Sequence, residues 1–144
     1  MRAVIQRVKA AEVWVAGEPV SRIDQGLLTL LGIEATDTEQ KLRKAIEKII
    51  HLRIFEDENG KMNRSLHDIK GQHLIVSQFT LVADCSSGRR PSFTTAAPPA
   101  IAEPLYERAI EISREMGVDT QGGVFQAEMQ VTLTNDGPVT FVFD

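Results

Sequence analysis

The stretch Gly26-Leu27-Leu28-Thr29-Leu30-Leu31-Gly32-Ile33 limits most what this chain can fold into. It is apolar almost without interruption, with none of the alternation of a strand that faces water on one side. A strand built from it has to be covered on both faces. The chain must therefore place a sheet against a second layer and close off the far face as well. With 144 residues it has the length for one domain of that kind, spanning residues 1–144. A domain of about 150 residues buries roughly 68–70% of its unfolded surface, so no disulfide or metal staple is needed.

The neighbouring patterns supply the remaining elements. Residues 1–9 alternate like a strand, and Glu12-Val13-Trp14-Val15-Ala16 reads as a second, followed by a turn at Gly17-Glu18-Pro19. After the apolar run, Leu42, Ala45, Ile46, Ile49 and Ile50 recur at helical spacing, with Lys41, Lys44 and Lys48 on the other face. Asp37 and Gln40 resemble a capping box at the start of this helix. Leu52 to Phe55 predicts a strand ending in the turn Asp57-Glu58-Asn59-Gly60, and His73 to Ala83 predicts the main central strand. Asp84 to Pro99 reads as a long loop, of the kind that often carries function. A second helix is expected from Ala102 to Met116, with Leu105, Ala109, Ile112 and Met116 on one face and Gly117 as its stop. Strands over Val124–Thr134 and Val139–Phe143 would flank a hairpin turn at Asn135-Asp136-Gly137. The order implies an α/β fold: a mixed sheet with two main helices packed on one side.

Several function classes lose support at this level. The formal net charge of −4 argues against generic phosphate binding, while leaving room for a local basic patch. Cys85 is the only cysteine, which rules out an intrachain disulfide and suits a reducing compartment. No apolar run approaches the ~20 residues of a membrane span, and the opening residues lack a signal-peptide pattern, so a cytoplasmic protein is expected. His51, His67 and His73 show no metal-ligand spacing, so no metal and no cofactor is expected. No nucleophile elbow and no phosphate-binding glycine loop is present. Cys85 has no histidine beside it in sequence to make it a nucleophile.

Two segments remain. Ser77-Gln78-Phe79-Thr80 puts three polar residues in four within an apolar strand, where buried polar groups are costly unless hydrogen-bonded. Simple alternation, with Gln78 and Thr80 to solvent and Phe79 to the core, would also account for it. Asn135-Asp136-Gly137-Pro138-Val139-Thr140 reads as a hairpin turn, except that Pro138 cannot donate to a ladder. Together, in this order, the two segments match the signature motifs of the D-aminoacyl-tRNA deacylases without a gap. Met1 to Val8, Lys61-Met62-Asn63 and Gly88-Arg89-Arg90-Pro91-Ser92-Phe93 resemble further parts of that family.

The resemblance implies a hydrolase for the ester that joins a D-amino acid, or glycine, to the 3′-terminal adenosine of tRNA. It implies a barrel-like core and a homodimer in which a cis Gly137-Pro138 reaches the partner's pocket as a chiral gate. Arg7 would hold that motif. Ser77, Gln78, Phe79 and Thr80 would form the pocket floor, with the Phe79 and Thr80 amides facing the ester carbonyl oxygen. Phe125 and Met129 would form its wall, where plain core packing is an equal reading. Arg89 and Arg90, and the Lys41, Lys44 and Lys48 stripe, would be candidates for RNA phosphates. Thr80 has no neighbouring base in sequence, which favours attack by water assisted by the RNA 2′-hydroxyl. Two rival readings stay open: an esterase or peptidase for small D-amino-acid esters using Thr80 or Cys85, and a non-catalytic RNA-binding module.

Overall fold

The computed structural model describes all residues, Met1–Asp144. Its frame is one long strand, β1 (Arg2–Val15), which takes the place of the two short strands expected there. One edge of β1 pairs antiparallel with both β2 (Glu18–Ile23) and β3 (Gly26–Gly32). β3 then pairs in parallel with β6 (Gln72–Ser77), and β6 with β7 (Asp119–Gly122). Each parallel step needs a long crossover. The first contains α1 (Glu39–His51) and the small hairpin of β4 (Phe55–Glu56) and β5 (Met62–Arg64). The second contains α2 (Pro99–Glu115). The last strand, β8 (Met129–Phe143), pairs antiparallel with β1.

The double burial expected of Gly26–Ile33 follows from two separate cores. Leu27 and Leu31 pack with Ala3, Ile5 and Ile75 beneath α1 and α2. Leu28 turns the other way, to Val8, Val13, Ile23 and Val76 inside the curl of the sheet. β1 serves both cores, and its register against β8 breaks between Gln6 and Val8 and again between Val8 and Ala10. Such bulges change which side chains face which layer. The result is the expected mixed α/β architecture, a nearly closed barrel-like sheet with two helices on one side.

α1 buries the five residues that its periodicity singles out, but Thr38 caps it, accepting from the Lys41 amide at 3.3 Å. Asp37 is engaged elsewhere, taking the Met1 amino group at 2.9 Å and the Glu34 amide at 2.8 Å. α2 starts earlier than the apolar spacing indicates, at Pro99, a residue suited to a first helical position. A buried polar chain ties α2 to the sheet. His73 bonds the Thr29 hydroxyl at 2.8 Å through Nε2 and the Ser113 hydroxyl at 3.0 Å through Nδ1. The Ser113 and Thr120 hydroxyls lie 2.7 Å apart.

Three strand expectations are corrected. The strand predicted over His73–Ala83 ends at Ser77, and Phe79–Val82 forms a short 3-10 helix. β3 ends at Gly32 and β7 at Gly122, so no neighbour remains for Phe79 onward to pair with. The hairpin expected at Asn135-Asp136-Gly137 does not exist. Both flanking segments run in one direction along β1, Met129 opposite Val15 and Phe143 opposite Ala3. Only Arg7 separates Gln6 from Val8, whereas Asp136, Gly137, Pro138 and Val139 separate their partners Asn135 and Thr140. These four residues loop out of the ladder, which accommodates a proline that cannot donate. Val124–Glu128, expected as strand, precedes β8 as irregular chain.

Candidate active site

Where β6 ends, the chain lines a cleft of about 580 Å³. The Gln78 amide still bonds the Leu31 carbonyl at 2.9 Å, as a further rung beyond the strand. The backbone then turns, with the Leu81 amide on the Gln78 carbonyl at 3.3 Å and the Arg2 guanidinium on the Leu81 carbonyl at 3.3 Å. Amides at the start of such a turn have no partner within it, and those of Phe79 and Thr80 occupy that place. Ser77, Gln78 and Phe79 line the cleft together with Phe125, Gln126 and Met129. Phe79 does not face the core as alternation would have it: it is 58% exposed, with its ring 5.2 Å from that of Phe93.

Thr80 is exposed and is not among the lining residues. Its hydroxyl accepts a hydrogen bond from the Gln78 side-chain amide at 2.5 Å. Of the 13 lining residues none is ionisable, so no side-chain base faces the cleft. Cys85 is exposed, in the loop beyond.

A second group lies elsewhere on the chain. Arg7, 5% exposed, donates from Nε to the Asp136 carbonyl at 3.0 Å and from Nη1 to the Ile54 carbonyl at 2.7 Å. Its Nε also lies 3.4 Å from the Asp136 carboxylate. The adjoining Gly137-Pro138 bond is cis, and both residues are exposed. Neither lines the cleft of its own chain. Five residues of β8, Thr132 to Asp136, lie between Gly137 and Val131 on the cleft wall. The sequence motifs thus form two clusters, 77–79 with Phe125 and Met129, and Gly137-Pro138 with Arg7.

The family model for D-Tyr-tRNA(Tyr) deacylase matches residues 4–144. A D-aminoacyl-tRNA deacylase of Thermosipho africanus is 55% identical over 144 residues, covering 100% of this chain and 97% of the relative. A second, of Thermus aquaticus, is 58% identical over 144 residues, covering 100% of this chain and 95% of its own.

This chain belongs to the D-aminoacyl-tRNA deacylase family.

The deacylase is a hydrolase of the ester bond in aminoacyl-tRNA, which is its substrate. Among solved structures it superposes on the c-Myc DNA Unwinding Element Binding Protein with a TM-score of 0.94 at 42% identity, covering 100% of this chain and 98% of that one. A structure described as a probable eukaryotic D-amino acid tRNA deacylase shares the fold, with a TM-score of 0.87 at 20% identity, covering 99% of this chain and 97% of that one. Reading the sequence alone missed the contribution of α2 and of Gln126 to the deacylase cleft. Ala97 just before α2 and Pro99 and Ala102 in its first turn line the cleft, and Gln126 takes a φ of +61°. Small apolar residues at a helix start carry no chemical signature, so nothing marked them out.

Proposed function

We propose that the cleft binds the 3′-terminal adenosine ester of D-aminoacyl-tRNA or glycyl-tRNA, and that chirality is read by Gly137-Pro138 of a second copy. Enantiomers have identical solvation and apolar area, so only shape can separate them. The observation that carries this reading is the division of the motifs into two clusters: the outlooped Gly137-Pro138 is exposed, anchored by Arg7, and absent from its own chain's cleft. Across a dimer it would stand where an L side chain has to go, while glycine, with none, would pass. β8 supports such pairing, because its second edge has no neighbour and Val142 on it is 73% exposed.

In this reading Ser77, Gln78, Phe79 and Thr80 position the ester. The Phe79 and Thr80 amides receive the developing charge on its carbonyl oxygen, an effect worth about 10²–10³-fold per donor. Water attacks, assisted by the 2′-hydroxyl of the RNA. The cleft's lack of an ionisable side chain favours this over a Thr80 nucleophile, which would need an adjacent base. Arg89 and Arg90 are exposed and bring positive charge to the long loop for phosphates. Replacing both should flatten the salt dependence of tRNA binding, and an unchanged slope removes them from the interface. Such a reaction belongs in the cytoplasm, where charged tRNA is used.

The test is a pair of rate measurements. Thr80→Ala should keep substantial activity on D-Tyr-tRNA, while a tRNA ending in 2′-deoxyadenosine should be hydrolysed at least about 10²-fold more slowly, the loss expected when a general acid–base group is removed. Abolished activity in Thr80→Ala with full activity on the deoxy substrate would make Thr80 the attacking group.

A further inference from the structure

Tyr106, the chain's one tyrosine, stands where two cleft-lining segments part company. β6 and β7 run paired up to Ile75 and Gly122. From there β6 runs on through Val76 and Ser77 to Gln78 just beyond its end, while the segment after β7 turns off toward Phe125 and Gln126, and both segments line the cleft. The Tyr106 hydroxyl occupies the fork. It donates to the Ile75 carbonyl at 2.7 Å and accepts from the Gly123 amide at 2.9 Å. One oxygen thus stands in for the next rung of the ladder, and separates the two backbones by more than a direct amide-to-carbonyl bond would allow.

The surroundings are shaped to this arrangement. A Cβ on Gly122 would come within 2.8 Å of the Tyr106 oxygen, and one on Gly123 within 2.5 Å of the Met129 sulfur. The Tyr106 and Phe125 rings lie 6.1 Å apart, so the same side chain backs the cleft wall. Burial pushes the phenol up to about 12, so the hydroxyl keeps the proton it donates throughout the neutral range. For packing α2 onto the sheet the ring alone suffices. The hydroxyl adds two bonds, both to backbone of the diverging segments.

We propose that Tyr106 is a positioning residue for deacylation: its hydroxyl sets the spacing between the Ser77–Gln78 segment and the Phe125–Met129 segment, and through them the seating of the ester. This rests on the cleft being the ester site. Tyr106 touches no substrate. It acts through the two segments whose separation it holds, and small misplacements of a reacting group are costly in rate.

The decisive variant is Tyr106→Phe, which keeps the ring and removes the bridge. On D-Tyr-tRNA, kcat should fall about tenfold with KM changed much less, since a buried donor and acceptor lose their partner. If Tyr106 works through the Phe125 segment, the loss should be non-additive with Phe125→Leu in a double-mutant cycle on kcat/KM. A wild-type kcat in Tyr106→Phe, or strictly additive losses, overturns the proposal. Should Tyr106→Phe fail to fold, 3-fluorotyrosine incorporated in the wild-type chain reports from this one position. Its single ¹⁹F resonance should shift when the non-hydrolysable amide 3′-deoxy-3′-(D-tyrosylamino)adenosine binds. Inhibition by that amide without a shift would again overturn it. If the wild-type protein leaves D-Tyr-tRNA intact, the cleft reading itself has failed, an outcome distinct from any result with Tyr106.

Discussion

At the scale of single residues, Arg7 and Gly137 define the proposed gate. Gly137 takes a φ of +132°, a region that side chains avoid, and a Cβ there would come within 2.8 Å of Val139 Cγ2. Arg7 is buried and spends its guanidinium on two carbonyls from distant parts of the chain, Ile54 and Asp136. A lysine keeps the charge but offers a single point donor in place of the planar fork. Arg7→Lys should therefore loosen the outlooped segment, and the ratio of rates on D-Tyr-tRNA and L-Tyr-tRNA should fall at least about tenfold, the equivalent of about 1.4 kcal/mol. A ratio equal to that of wild type, in a variant with cooperative unfolding, would remove Arg7 from the gate. Three polar residues in four drew attention to Ser77, Gln78, Phe79 and Thr80 in sequence, but simple alternation explained them too, and only the family resemblance assigned them to a pocket. Tyr106 had no such signal: one tyrosine at helical spacing looks like any core residue until its hydroxyl partners are seen.

At the scale of elements, local signals were legible and partner-dependent ones were not. The apolar periodicity of α1 and the unbroken apolar run of β3 are properties of a few adjacent residues, and both stand as expected. The fate of Asn135 to Thr140 depends instead on the 14-residue length of β1, which accepts both halves of β8 end to end. Likewise Leu81 and Val82 have strand-forming side chains, but no strand lies alongside them to pair with. The buried link between α2 and the sheet carries a pH dependence. Burial pushes His73 down to about 3, against about 6.5 in an unfolded chain. Above pH 6.5 neither state holds the proton. Below it the unfolded chain takes up a proton that the fold refuses, so stability drains away as pH falls from 6.5 toward 3. The contribution approaches about 1.4 kcal/mol per pH unit. Urea unfolding between pH 7.5 and 5 should show this slope, and His73→Gln should flatten it. Equal slopes in the two proteins would show that His73 is not the group responsible.

At the scale of the whole molecule, one chain supplies a cleft and a proposed gate that do not meet. Its formal net charge of −4 gives no general attraction to RNA, so the proposed reading confines recognition to the aminoacylated end. The edge of β8 away from β1 is unpaired, with Phe141 and Val142 exposed, and in the proposed dimer it would bring a second copy's gate into reach. Equilibrium sedimentation should give twice the 15.9 kDa chain mass at micromolar concentration. A monomer there would leave each cleft without a gate. The most direct test of chirality read by exclusion is parallel deacylation of D-Tyr-tRNA, L-Tyr-tRNA and Gly-tRNA by the wild-type protein. Fitted apolar pockets distinguish close analogues by only about 1–3 kcal/mol, roughly 10–200-fold. Rigid backbone in the path of an L side chain should exceed that: D-Tyr-tRNA and Gly-tRNA hydrolysed, L-Tyr-tRNA spared by more than about 10³-fold. Hydrolysis of L-Tyr-tRNA at a rate within about 10²-fold of D-Tyr-tRNA would contradict it.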